Sequence, residues 1–178
     1  YYDDIINMVE SKVYMSPSSY MLARNCSMIF NCLEFSKNTL DDWYKKMEKT
    51  SKKRIVLLHN NLDVHHLIRN DENVLISWNN AKRGLPIYDF INLYKNNFAD
   101  YDFNELYYEY KKRFPLTKEE EMLIFIYLFI PDKLDLTKSE MAKTIDVARL
   151  CNYLVTTDKL FMEQEAENTK EQKTKVNE

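Results

Sequence analysis

One glycine occurs in the 178 residues, at position 84. A loop that cradles phosphate with backbone N–H groups needs several glycines, because a Cβ keeps the chain from approaching so closely. These residues therefore hold no such loop. Cysteine is also scarce. Cys26, Cys32 and Cys151 form no CxxC pair, so the spacing offers neither a zinc framework nor a disulfide scaffold. Cys26 and Cys32 fall in an apolar helical stretch and read as buried, reduced thiols. No basic excess is present either: 25 Lys and Arg stand against 28 Asp and Glu, for a net charge of -3. Nucleic-acid partners usually leave a basic footprint, so none is expected here. The longest apolar run, from Met122 to Ile130, falls far short of the ~20 residues that span a bilayer, so no membrane span is expected. Tyr1-Tyr2-Asp3-Asp4 is acidic where a secretory leader is basic and then apolar, which points to a cytoplasmic chain. It also lacks an initiator Met, as a piece of a longer protein would. Abundant Asn, Lys, Ile and Tyr suggest AT-rich coding and say little about function.

What is present suffices for one ordinary domain, since 45% of the residues are hydrophobic. Apolar residues at Tyr2, Ile5, Ile6, Val9 and Val13 follow helical spacing, and Ser16-Pro17 breaks the pattern. A second helix is expected from Tyr20 through Leu33. A third, capped at Asn38-Thr39, follows through Trp43 and Met47. Lys45, Lys46, Lys49, Lys52, Lys53 and Arg54 read as a solvated face and linker. Arg54 to Leu58 reads as a buried strand. Val64 to Arg69 and Asn73 to Trp78 read as a hairpin turning at Asn70-Asp71-Glu72. After Pro86 come helices at 87–97, 103–114, 117–130 and 137–161, with capping-box forms at Thr117-Lys118-Glu119-Glu120 and Thr137-Lys138-Ser139-Glu140. Residues 163–178 lack an apolar stripe and are expected as a polar tail, frayed or disordered. Thus 1–162 form one domain, mainly α with a small β-hairpin.

The segment His59-Asn60-Asn61-Leu62-Asp63-Val64-His65-His66-Leu67-Ile68 resembles the His-Gly-Asp-Leu-His-Pro-Gly-Asn-Ile-Leu catalytic loop of the aminoglycoside phosphotransferase and choline kinase family. Ile76-Ser77-Trp78-Asn79-Asn80-Ala81 resembles that family's metal-binding Ile-Asp-Trp-Glu-Asn-Ala segment. Gly84-Leu85-Pro86-Ile87-Tyr88-Asp89-Phe90 is similar to its Gly-Asp-Pro-Leu-Tyr-Asp-Leu. The resemblance covers about residues 54 to 97, with a catalytic-loop-like part at 59–68 and a metal-loop-like part at 75–81. It implies a protein-kinase-like fold, here the helical C-terminal lobe of the aminoglycoside phosphotransferase type. Some bacterial spore-coat proteins belong to the same branch.

The chemical positions depart from that pattern. The resemblance places the catalytic aspartate at Asn61, a metal-binding asparagine at His66 and a second metal-binding aspartate at Ser77. Phosphoryl transfer depends on a carboxylate that orients the acceptor hydroxyl and on magnesium held by hard oxygens. An amide, an imidazole and a hydroxyl supply neither. The implied function is a catalytically inactive binding or scaffolding domain, a pseudokinase, with no cofactor and an unidentified protein or small molecule as partner. The alternative is an active phosphotransferase using Mg and ATP on a small hydroxyl compound, with Asp63 as a substitute base beside Asn61. His59, Trp78 and Asp89 are assigned structural roles: His59 bonding backbone, Trp78 in the core, Asp89 at a helix start. His59, His65 and His66 with Asp63 also suggest a transition-metal site. Adjacent histidines in an extended segment point to opposite faces, which disfavours it.

Overall fold

The structure is a computed structural model that describes residues 1–48 and 53–176, with side chains described through Thr169. Seven helices carry it: α1 (Tyr2–Glu10), α2 (Pro17–Arg24), α3 (Cys26–Met47), α4 (Ile87–Asn97), α5 (Phe103–Arg113), α6 (Lys118–Phe129) and α7 (Glu140–Val176). Between α3 and α4 lie four three-residue strands, β1 (Val56–Leu58), β2 (Leu67–Arg69), β3 (Asn73–Leu75) and β4 (Lys82–Gly84). The chain is thus mainly helical, as its periodicity predicts. Among the described residues no helix is long and apolar enough to cross a membrane.

Helix α6 is the centre of the core. Three glutamates open it under a Thr117–Glu120 capping box, and the apolar run follows. Leu123 to Ile126, Leu128 and Phe129 are buried, because α3, α4 and α7 each pack on a different side. Tyr94, Ile124 and Leu154 are fully buried beside them. Burying side chains of this size stabilises by roughly 2 to 3 kcal/mol each. Two tyrosines within the core find partners: Tyr153 donates to the Leu128 carbonyl at 2.7 Å, and Tyr94 meets Thr157 at 3.1 Å.

Several element boundaries differ from the sequence expectation. Helix α1 stops at Glu10 and leaves Val13 outside, 90% exposed. The break expected at Asn38-Thr39 falls at Asn25, whose side-chain N–H bonds the Met21 carbonyl at 2.8 Å. Asn38 and Thr39 lie inside α3, which is held straight against α6 by Ser36 donating to the Ile126 carbonyl and Trp43 to the Glu119 carbonyl. Helix α7 starts at Glu140 rather than Thr137, with Ser139 Oγ accepting from Ala142 N at 3.4 Å. It continues through Val176, past the end expected near Phe161, and buries Gln164.

The sheet region also differs. The expected hairpin is present as β2–β3, in the antiparallel register Leu67↔Leu75 and Arg69↔Asn73. A second pair, β1–β4, was not expected, because Lys82-Arg83-Gly84 carries no apolar signal. In β1 only Leu58 is buried, while Leu57 is exposed. Arg54 is exposed, as expected, but it is also bound. It pairs with Glu120, donates to the Pro115 carbonyl at 3.0 Å and lies over the Phe114 ring at 4.5 Å. Lys49 and Lys52 lie outside the described residues.

Candidate functional site

The loops that follow β1 and β3 are fixed to each other through Ile76. Its backbone N–H donates to the His66 carbonyl at 2.9 Å, and its carbonyl lies 2.7 Å from His59 Nε2. A carbonyl only accepts, so His59 carries its proton on Nε2. Its Nδ1 is buried with no partner among the described residues. The His59 ring is 1% exposed and packs against His66 and, edge-on, Trp78, at centroid distances of 5.5 and 4.9 Å.

Asp89 holds the first loop from behind. Its two carboxylate oxygens accept from the backbone N–H groups of His59 and Asn60, each at 2.8 Å. The sequence places Asp89 at a helix start, and it does stand in the first turn of α4, yet it makes no cap there. Its charge is spent on the loop instead. Asn96, two turns along α4, reaches the Leu62 carbonyl at 3.4 Å.

Among the described residues, two other than glycine have left-handed backbone: Asn60 with φ 61° and Ser77 with φ 68°. Such conformations cost of order 1 kcal/mol or more each, and they persist where the surroundings over-determine them. Asn60 is over-determined by Asp89. Ser77 follows the doubly bonded Ile76. One strained residue thus falls in each motif-like loop. Asn60 and Ile76 escaped the sequence reading; an Asn beside a motif is the available signal for left-handed backbone.

Asn61 exposes its side chain, and its carbonyl accepts from His66 Nδ1 at 2.9 Å. Ser77 is partly buried and presents a hydroxyl where the resemblance places a carboxylate. Asp63 is the lone carboxylate of the 59–68 loop, and its segment is not the extended run expected. Val64 to His66 form a 3-10 turn capped by Asp63, whose Oδ1 accepts from His65 N at 2.9 Å and lies 2.5 Å from His65 Nδ1. That backbone bond, and then the imidazole, hold the Asp63 carboxyl below its usual range against the opposing effect of burial. His65 and His66 are accordingly turned to different partners. Among the described residues no group of three or more His, Cys, Asp and Glu is placed to hold a metal ion. Trp78 is not core, as expected, but 45% exposed, with its indole N–H bonded to the Leu75 carbonyl at 2.8 Å.

The donor set does not suit magnesium. Ser77 offers a neutral hydroxyl where the resemblance places a carboxylate, and His66 offers a nitrogen where it places an amide oxygen. In comparisons with protein-family models, curated proteins and solved structures, nothing matched this chain.

Proposed function

We propose that this chain is the helical C-terminal lobe of a kinase-like protein of the aminoglycoside phosphotransferase type, acting as a non-catalytic binding or scaffolding domain. The observation that carries the reading is the double tie at Ile76 together with the Asp89 clamp. It supports a preserved pairing of catalytic-like and metal-like loops, in which Asn61 and Ser77 stand where the chemistry needs anionic oxygen and His66 where it needs an amide oxygen. The partner is a protein or small molecule recognised without phosphate chemistry. Asp63 is a poor substitute for the missing base, because its Oδ1 already serves His65 and its lowered pKa weakens it as a proton acceptor.

The test is ATP consumption by the purified chain with magnesium and a panel of alcohol acceptors, beside Asp63→Asn. The expected result is a rate at background for both proteins. Acceptor-dependent turnover that Asp63→Asn abolishes would refute the proposal and establish the phosphotransferase alternative.

A further inference from the structure

Helix α7 has two apolar faces, and the core uses one. Val147, Leu150, Leu154, Thr157, Leu160 and Gln164 face inward and are buried. Across the helix, Met141, Ile145, Ala148, Val155, Met162 and Ala166 face solvent, interrupted by Asn152 and Lys159. Met141 is 75% exposed, Ile145 and Met162 60%, and Val155 56%. A surface helix ordinarily turns its polar side outward. The outer positions step alternately by four and three residues, which is the heptad spacing of a helix-pairing seam, and they extend for about 38 Å.

We propose that this outer face of α7 docks against the same face of a second copy, with the two helices antiparallel. The charges bordering the seam select both occupant and direction. Arg149 and Glu163 each follow a seam residue, Ala148 and Met162, and so lie on one border, two heptads apart. Asp158 and Glu165 lie on the other. In a parallel pair Asp158 would meet Glu163 of the copy twice, carboxylate against carboxylate. Reversing one chain brings Arg149 opposite Glu163 of the copy, twice by the two-fold symmetry, and stacks Ala148 on Ala166. Near the axis Asp158 then meets Asp158 of the copy, with Lys159 of each chain beside the two carboxylates. Asn152 and Lys159 inside the seam cost affinity and fix register, the usual effect of polar residues at such positions.

The experiment is sedimentation velocity on the full chain from about 1 to about 200 µM, a range that brackets moderate affinity. A reversible dimer is expected. Val155→Glu with Met162→Glu should raise its Kd at least tenfold while circular dichroism stays unchanged. Arg149→Glu, with folding checked by the same circular dichroism because Arg149 also lies over the Phe98 ring at 5.8 Å, should also weaken the dimer, and adding Glu163→Arg should restore it. A monomer at every concentration would overturn the proposal. So would a dimer indifferent to these substitutions. Weakening by Arg149→Glu without rescue by Glu163→Arg would overturn the antiparallel pairing.

Discussion

The carboxylate of Asp89 accepts the backbone N–H of His59 from thirty residues further along the chain, at 2.8 Å. Its other oxygen takes Asn60, so one side chain satisfies two consecutive donors at the entry to the loop. Hydrogen bonds to a charged group contribute about 1.5 to 3 kcal/mol, and a donor left buried without a partner costs about 1 to 3. Asp89→Ala should therefore destabilise the fold by about 3 kcal/mol in denaturant unfolding. Asp89→Asn should fall between, because one oxygen still accepts while the amide N–H₂ meets a donor. Equal stability of all three proteins would remove Asp89 from its role as clamp.

Gly84 is present for close approach rather than for unusual backbone. A Cβ there would meet Leu58 Cδ1 at 2.5 Å, and Leu58 is 1% exposed with little room to turn. Overpacking of this kind costs about 1 to 3 kcal/mol, so Gly84→Ala should lower stability within that range. In a double-mutant cycle with Leu58→Ala the costs should be less than additive, since removing the leucine branch creates the space the new methyl needs. Strict additivity would show that the contact does not limit the site.

Acid should loosen the junction of α2 and α7. Hydrogen bonds from Ser18, with its backbone N–H at 2.8 Å, and then from Lys143 and Ser16 push the Glu140 carboxyl down from 4.5 to about 2. A carboxyl whose pKa is depressed on folding stabilises fully above its unfolded value and loses that contribution as pH falls through the folded one. The stability gap between the parent and Glu140→Gln should be constant at neutral pH and close between about pH 4.5 and 2. Melting curves across that range measure it; a gap that persists at pH 2 would contradict the assignment.

Restoring oxygen ligands should restore metal binding if the loop frame is intact. The combined variant Asn61→Asp, His66→Asn and Ser77→Asp replaces side chains without asking for new backbone, because Asp tolerates the left-handed conformation at position 77. A magnesium-dependent rise in melting temperature is expected for the variant. Its absence, with folding retained, would show that the two loops do not converge on one ion.

Helices that pack one clear face were legible in the sequence. The expected 87–97 matches α4 residue for residue, and Thr117 and Glu120 form the capping box that their spacing predicts. Where tertiary contact outweighs local signal, the reading failed. Asn38-Thr39 looks like a helix start, yet bonds from Ser36 and Trp43 to α6 carry α3 through it. Strand β4 is invisible because it exists only as the hydrogen-bonding complement of β1. In the site, the motif spacing brought Asn61, His66 and Ser77 to notice. Nothing in the sequence tells that Asp63 caps a 3-10 turn, or that Asp89 bonds a loop thirty residues back.

The most direct test is calorimetric titration of the unmodified chain with magnesium, alone and with ATP. No saturable heat is expected, because the positions that the resemblance assigns to the ion present an imidazole and a hydroxyl. A saturable magnesium signal that His66→Ala or Ser77→Ala abolishes would contradict the proposal that this chain acts without phosphotransfer chemistry.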